Sequence, residues 1–235
     1  MGNAIVLEET TKDPITKMGA RGGICWGSNI SDPKLNYRRG KKILLSDHGR
    51  VEEYANVELI LKGYSARVAR EWYTHIVGAS RLQGSTRYCD YTGGNGFEYV
   101  TPPSIKKNPE ALLLWENLMA NINDTCRTLE HELGIPREDA AMALPLAMKT
   151  IIVDKRNLRS LVNMAHQRMC SRANWEFREL FDDVCKALSE YSPEWKEVVD
   201  LTFRPKCEVF GYCPEEKGCG RMPKRKNNIW RMTND

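Results

Sequence analysis

The chain has 235 residues, of which 41% are hydrophobic and 28% are charged, so it is long enough to bury the core of an ordinary globular protein. No apolar run approaches the length that spans a bilayer, and the N-terminus lacks a signal-peptide pattern, so we expect a cytoplasmic protein with no membrane partner. The net charge of +4 is too small to predict nucleic-acid binding by itself, and we expect none.

The first half of the chain predicts a mixture of loops, strands and one helix. Residues 1–45 are rich in glycine, lysine and asparagine and show little periodicity, and residues 22–28 could approach a ligand closely, with a loop as the alternative. Residues 56–61 have the character of a strand. Ser65 is a good N-cap for a helix that Gly78 should end. Residues 88–103 predict a strand, a turn at Gly93-Gly-Asn-Gly96 and a second strand.

The second half of the chain predicts long helices and one further strand. Asn108 and Pro109 start an amphipathic helix whose apolar side chains keep helical spacing as far as Gly134, and we expect that side to be core. A short helix follows from Pro136, and residues 150–153 are β-branched and predict a strand. Asn157 can then cap a helical pattern that runs to Leu188.

Two polar blocks predict a ligand site. The nine residues Ser80–Tyr88 contain two arginines, two serines, a glutamine and a glycine, which together offer guanidinium groups, hydroxyls and open backbone N–H groups to an anion. A polar surface turn is the alternative for such a loop taken alone. The second block, Asn157–Glu176, places Arg168 and Arg172 one helical turn apart, so we expect both on the same side. Together the blocks predict a nucleotide and cofactor site.

The eight cysteines fall into two groups. We expect five of them to be small buried hydrophobic side chains, and these are Cys25, Cys89, Cys126, Cys170 and Cys185. Cys207, Cys213 and Cys219 recur every six residues in a segment rich in glycine and proline. A zinc site usually needs four ligands with a CxxC pair, so we expect a packed terminal loop and no metal. We divide the chain into a domain over residues 1–205 and a basic, cysteine-containing extension over residues 206–235.

The order of these blocks resembles the flavin-dependent thymidylate synthases. The family signature ends in Ser-x-Arg-Tyr after a helix, and Gly84-Ser-Thr-Arg-Tyr88 is similar to that end. Residues 69–76 resemble its lead-in, with His75 at the central histidine of an Arg-His-Arg triplet. Residues 144–146 and 157–161 resemble a second block, and residues 166–178 resemble its closing helix. Ile24-Cys-Trp26 is similar to an N-terminal strand of the family.

The resemblance implies a fold, a reaction and its reagents. It implies an α/β (α+β) protein with a mixed or antiparallel sheet flanked by long helices, assembled as a homotetramer that binds FAD. It implies methylation of dUMP to dTMP, with methylenetetrahydrofolate as the one-carbon donor and NADPH reducing the flavin that supplies the hydride. The protein then needs no strong nucleophile, because it orients the substrate and stabilises charge.

The resemblance also implies a role for individual residues. Arg168 matches an arginine that contacts the pyrimidine, and we expect it to be catalytic. Ser85 and Arg87 match residues that hold the nucleotide phosphate, and Ser85 as a nucleophile is the weaker alternative because no general base adjoins it in sequence. The expected substrate-binding residues are Gln83, Gly84, Ser85, Thr86, Arg87, Gln167 and Arg168. The expected cofactor-binding residues are His48, Arg50, His75, Ile76, Asn157, Arg159 and Asn163.

Departures from the family pattern leave alternatives open. Thr74 and Ile76 stand where the triplet has arginines, and Ala141 stands where many members have an arginine for the phosphate. Arg81, Arg70 or Lys149 could supply the missing charge. Alternatively, the enzyme acts on another pyrimidine nucleotide, stops at a hydroxymethyl product, or has lost synthase chemistry. A nucleic-acid-binding module that uses the basic tail and Trp230 is the remaining class.

Overall fold

A computed structural model describes residues 2–94 and 96–225. Asn95 of the predicted turn, and Trp230 and the rest of the basic tail beyond residue 225, lie outside the described residues. The chain divides into two compact units. Unit 1 consists of Met1–Thr10 and Val57–Lys155, and unit 2 consists of Thr11–Asn56 and Arg156–Asp235. The boundary that we predict between residues 205 and 206 differs from this division and stays a prediction.

The described residues combine one sheet with many helices, as expected for the α/β (α+β) class. The strands are β1 (Asn3–Val6), β2 (Asn56–Ser65), β3 (Ala79–Gln83) and β4 (Lys149–Asn157). The helices are α1 (Pro14–Cys25), α2 (Pro33–Leu45), α3 (Gly49–Glu52), α4 (Ala66–Tyr73), α5 (Pro103–Lys106), α6 (Pro109–Arg127), α7 (Arg137–Ala140), α8 (Leu158–Arg168), α9 (Trp175–Tyr191), α10 (Pro193–Thr202) and α11 (Lys206–Phe210). Within the described ranges, every helix is too short or too polar to cross a membrane.

The sheet has the strand order β1-β2-β4-β3. β1 pairs antiparallel with β2, with Asn3 opposite Lys62 and Val6 opposite Leu59. Alternate side chains of β2 are buried, beginning at Val57, which is the period-two pattern of a strand with one face on a core. In unit 1, the buried indole of Trp72 on α4 donates its Nε1–H to Asp154 Oδ1 on β4 over 2.9 Å, which fixes this helix against the sheet.

The predicted helix starts at Ser65, Asn108 and Asn157 are confirmed. The Ser65 hydroxyl oxygen accepts from Val68 N over 3.2 Å, and Asn157 Oδ1 accepts from Ser160 N over 2.9 Å. Asn108 Oδ1 accepts from two backbone N–H groups of the first turn of α6. In each case a side-chain oxygen satisfies a backbone donor that has no partner inside the helix.

Residues 1–45 contain more regular structure than their weak periodicity indicates. This segment contains β1, α1 and α2, and the predicted strand at Ile24-Cys-Trp26 is instead the C-terminal end of α1. A Cβ on Gly19 would lie 1.8 Å from the Asn36 backbone oxygen, and a Cβ on Gly40 would lie 1.9 Å from the Ile15 backbone oxygen. The glycines therefore let two helices approach closely, which their presence in a weakly periodic segment does not indicate.

The chain between α4 and α6 also differs from the prediction. α4 ends at Tyr73, before Gly78, and the first part of the polar loop is strand β3. The described residues of 88–103 form turns and an irregular segment, with one isolated bridge between Tyr99 and Met148 in place of a hairpin. The apolar side chains here join a small cluster around Phe97. The apolar residues of this cluster produced the sequence pattern that we interpreted as two strands.

Two predicted helical faces are wrong as well. On α6, Met119 and Cys126 are buried, but Leu118 is half exposed, so only part of the apolar side is core. α8 ends at Arg168, and Arg172 lies in the connection to α9, so the two arginines do not share a helical face. The apolar pattern that we assigned to one long helix belongs to α8 and α9.

Candidate active site

In unit 1, the polar loop begins as strand β3 and then turns through residues 84–89. The Gly84 backbone N donates to the Ile151 backbone oxygen over 2.9 Å. A Cβ on Gly84 would lie 2.7 Å from the Tyr91 hydroxyl, so only glycine fits without displacing this ring. Gln83 is exposed at the end of β3, and Thr86 is half-buried in the turn. The local chain is thus held against β4 while its polar side chains stay accessible.

Ser85 and Arg87 form the tip of this turn. The Ser85 hydroxyl oxygen accepts from the Arg87 backbone N over 3.2 Å, and the Arg87 guanidinium forms an exposed ion pair with Glu138. Exposed ion pairs contribute about 0–1 kcal/mol, so an anionic ligand could replace Glu138 at little cost. The tip of this turn therefore carries a hydroxyl and a guanidinium, and their binding of an anion stays a prediction.

His75 and Ile76 follow the end of α4 in unit 1. Arg81 donates from Nη1 to the backbone oxygens of Tyr73 and His75 over 2.7 and 3.2 Å, and its guanidinium lies over the Tyr73 ring. Arg81 therefore caps the C-terminus of α4 and is less available to replace the absent phosphate-binding arginines. Of the other two candidates, Lys149 pairs with Glu98 over 2.9 Å, whereas Arg70 has no ion-pair partner among residues 2–94 and 96–225.

Unit 2 brings together the predicted cofactor residues His48, Arg50 and Arg159. His48 and Arg50 are exposed and border an open depression of about 430 Å³. Arg159, on the first turn of α8, bonds through Nη1 to Asp47 Oδ1 over 2.7 Å and lies 3.5 Å from a carboxylate oxygen of the buried Glu52. A Cβ on the neighbouring Gly49 would lie 2.3 Å from the Arg159 guanidinium, so a larger residue there would require the end of this side chain to move.

Apart from Asp47, the remaining lining of this depression is uncharged. Its other residues are Gly22, Cys25, Trp26, Ile43, Asp47, Gly49 and Val51. Trp26 is 61% exposed and Cys25 is exposed, so our expectation that Cys25 is buried is wrong. The C-terminal end of α1 and the loop after α2 line the same depression, so this helix pair positions the indole of Trp26 near His48 and Arg50.

Glu52 is a part of the site that we did not predict. Burial raises the pKa of its carboxyl, and the guanidinium of Arg159 works in the opposite direction. A buried carboxylate needs a paired cation, and Arg159 supplies it. The signal was present in the sequence, because the acidic residues Asp47 and Glu52 flank His48 and Arg50.

Helix α8 presents a polar stripe at helical spacing. Arg159, Asn163 and Gln167 follow one another every four residues, and the latter two are exposed. His166 is half-buried on the same helix, and burial lowers the pKa of its imidazole, with Arg159 contributing in the same direction. Asn157 uses its side-chain oxygen as the cap of this helix. The predicted pair Asn163 and Gln167 therefore shares one face.

Arg168 closes α8 and lies in a second cavity of unit 2. Its guanidinium carbon lies 4.6 Å above the centre of the Phe177 ring, which is a cation–π geometry. The cavity of about 450 Å³ is lined by Gln167 and Arg168 together with the α8–α9 connection and the segment after α10. The ring restricts the orientation of the guanidinium, which suits a fixed positive group.

The cysteines depart from the prediction in two ways. All eight are free thiols, and Cys89 is exposed, so our expectation of burial is wrong for it as it is for Cys25. Four of the others, Cys170, Cys207, Cys213 and Cys219, line the same cavity as Arg168. Burial raises the pKa of the Cys207 thiol. A contact with the Ser171 side chain is the largest cause that lowers the pKa of the Cys219 thiol.

The fold is that of a flavin-dependent thymidylate synthase. The structure of the Helicobacter pylori enzyme of that name, solved in complex with FAD and dUMP, superposes with a TM-score of 0.63 over 83% of this chain and 99% of that one, at 22% identity. The sequence comparison is more specific. Residues 6–194 match the family described as thymidylate synthase complementing protein, and the chain belongs to that family.

Relatives with the name flavin-dependent thymidylate synthase occur in several organisms. The protein of Nitratidesulfovibrio vulgaris is 33% identical over 79% of this chain and 76% of its own length. The protein of Geobacter sulfurreducens is 29% identical over 97% of this chain and 99% of its own length. The family match over residues 6–194 includes both polar blocks.

Proposed function

We propose that the chain is a flavin-dependent thymidylate synthase that methylates C5 of dUMP with FAD as its cofactor. The observation that carries this proposal is the family match over residues 6–194, a range that contains every residue assigned to substrate or flavin. Methylenetetrahydrofolate as the one-carbon donor, NADPH as the reductant of the flavin and a homotetrameric assembly follow from the resemblance. The eight free thiols support a reducing compartment such as the cytoplasm.

The residues around His48 fit a flavin nucleotide. Arg50 offers positive charge and His48 offers a hydrogen-bond donor to a diphosphate, and the exposed Trp26 offers a ring face to a flat heterocycle. Arg159 and Asn163 extend this polar surface along α8. Bound FAD would supply the hydride that completes the methyl group. The protein residues would bind and orient it.

The residues at the tip of the β3 turn fit a phosphate. The Arg87 guanidinium can form two parallel charge-assisted hydrogen bonds, and the Ser85 hydroxyl can donate a third. Arg70 and Lys149 are the remaining candidates for an additional cation, because Arg81 caps α4, whereas the pair of Lys149 with the exposed Glu98 could be replaced at little cost. Ser85 acts here by binding, since its oxygen accepts from the Arg87 backbone N.

Arg168 would act on the pyrimidine ring. When C5 of the uracil becomes nucleophilic, negative charge accumulates on a ring oxygen, and a pre-oriented guanidinium stabilises that charge without reorganisation. The Phe177 ring holds the guanidinium in one orientation. Gln167, the preceding residue, can bond to the amide edge of the base. Arg168 is therefore the residue assigned to catalysis.

The first test is the visible absorption spectrum of the purified protein, recorded before and after addition of FAD and then of dUMP. We expect a flavin spectrum that dUMP perturbs, because hydride transfer from the flavin to the nucleotide requires the two bound ligands to be in contact. A protein that remains colourless in the presence of FAD would contradict the proposal.

The second test uses variants and a competing nucleotide. Arg168→Ala should abolish formation of dTMP, and Arg38→Ala, a substitution of an exposed arginine on α2, should leave it unchanged. A fully active Arg168→Ala variant would remove the proposed role.

The missing arginines at Thr74, Ile76 and Ala141 favour the second candidate, an enzyme for another pyrimidine. Calorimetric titration that finds tighter binding of dCMP than of dUMP would select it.

A further inference from the structure

Four thiols that are far apart in sequence line one cavity of unit 2. Cys170 lies in the α8–α9 connection, Cys207 lies on α11, and Cys213 and Cys219 follow α11. Cys207 is buried, Cys170 and Cys213 are half-buried, and Cys219 is exposed. The fold therefore supplies the fourth thiol that the spacing of the last three cysteines lacks.

Polar contacts fix the terminal segment against the α8–α9 connection on both sides of Cys170. Arg221 donates from Nη1 to the Met169 backbone oxygen over 3.2 Å, and Arg172 pairs with Glu215 over 3.0 Å. A Cβ on Gly218 would lie 3.2 Å from the Cys213 sulfur, so this glycine lets the backbone pass close to the thiol. Contacts within the segment thus bring its thiols to the connection that carries Cys170.

The charges around the cavity suit an anionic centre. Zn²⁺ bound by four thiols forms four Zn–S bonds and releases four protons to solvent, so the centre carries two negative charges. The cavity is lined by the cationic residues Arg168, Arg172, Lys206 and Arg221 and by one acidic residue, Glu215. Positive side chains that would repel a bare dication stabilise the tetrathiolate complex once it forms.

We propose that Cys170, Cys207, Cys213 and Cys219 bind one Zn²⁺ ion as a structural tetrathiolate site. No three of these sulfur atoms lie within 4.8 Å of one another in the present arrangement, so binding requires rotation of the thiols and closure of the segment after α11. Most residues of 211–221 are exposed and bury little apolar surface. A metal is therefore a suitable means of fixing this segment, and the proposal does not rest on the proposed enzymatic function.

The test measures metal content and thiol state in the full-length protein. Protein purified under reducing conditions is treated with a chelator, given one equivalent of Zn²⁺, desalted and analysed by elemental analysis and native mass spectrometry. We expect about one zinc ion per chain. Cys213→Ser and Cys219→Ser should each lose most of this zinc. The matched control is Cys185→Ser, because Cys185 lies outside the cavity and burial raises the pKa of its thiol to about 12.

Several outcomes distinguish this site from the alternatives. Retention of zinc by both cavity variants, or a wild-type chain without zinc, would overturn the proposal. A disulfide between two of the four cysteines in freshly reduced and desalted protein, or iron in place of zinc, would do the same. Hydrogen exchange of residues 205–225 in the wild-type chain should speed up on chelation and recover with Zn²⁺, a measurement that does not depend on the folding of any variant.

Discussion

Replacing Gly19 or Gly40 with alanine should destabilise the protein, although both glycines lie in helices. Helix propensity alone predicts that alanine stabilises each helix by about 1 kcal/mol. The structure predicts the opposite sign, because the new Cβ atoms would lie 1.8 and 1.9 Å from backbone oxygens of the facing helix. Ordinary contact begins at 3.4 Å, so the helices must separate by about 1.5 Å (3.4 − 1.9).

The expected magnitude follows from which atoms collide. Overpacking costs about 1–3 kcal/mol, and a helix backbone cannot rotate away as a side chain can, so the upper part of that range applies. After the propensity gain, each substitution should lower the free energy of unfolding by about 1–2 kcal/mol. FAD binding should weaken too, because this helix pair positions Trp26 and His48 around the depression.

Urea denaturation followed by circular dichroism, at one fixed protein concentration, measures this effect. The control is Gly22→Ala on α1, where the new Cβ would meet only the Ile43 side chain, whose terminal Cδ1 atom lies 2.5 Å away and can rotate aside. Its effect should be close to zero. If Gly19→Ala and Gly40→Ala were as stable as the control, or more stable than wild type, the close approach of α1 and α2 described here would be refuted.

Three further predictions concern single side chains. Arg87→Ala should raise the KM for dUMP about 10- to 150-fold, from the loss of about 1.5–3 kcal/mol of charge-assisted bonding. Its urea midpoint should stay near that of wild type, because the pair with Glu138 is exposed; an unchanged KM in steady-state assays would argue against a phosphate contact. Burial raises the pKa of Glu52 above its ordinary 4.5, so the folded state holds its proton more tightly. The stability that this proton provides is complete below pH 4.5 and is lost as pH rises through the raised pKa. Glu52→Gln should therefore flatten this part of the pH–stability curve, and Arg159→Ala should shift it to higher pH; identical curves for all three proteins would contradict this. Ser65→Ala should cost about 1 kcal/mol in thermal or urea unfolding, because the cap of α4 is lost, and Ser65→Thr should restore most of it.

Helix starts could be predicted from the sequence because their physics is local. Asn108 followed by Pro109, and Asn157 before an apolar repeat, specify the first turn through side-chain bonds to neighbouring backbone groups. The β-branched residues of β4 are similarly local evidence. These elements frame much of the candidate site, which is why Arg159 and Asn163 could be placed on one helix in advance.

The parts that could not be predicted depend on contacts between distant residues. In the sequence, Gly19 and Gly40 are residues typical of loops. Their close contacts with a second helix are visible only in the structure. Arg172 continues the spacing of Arg168, yet α8 ends first and Arg172 pairs with Glu215. From the sequence, Arg81 was a candidate to bind the phosphate, but in the structure it donates to the Tyr73 backbone oxygen at the end of α4. In each case tertiary contacts override a local pattern.

The segment after α10 forms part of the wall around Arg168. The family match ends at residue 194, whereas Lys206, Cys207 and Cys213 share a cavity with Gln167 and Arg168. A small molecule that touches the guanidinium and this wall at once would exploit a surface outside the part of the chain that defines the family. An inhibitor that is selective for this enzyme over relatives without such a segment should therefore contact residues 205–221.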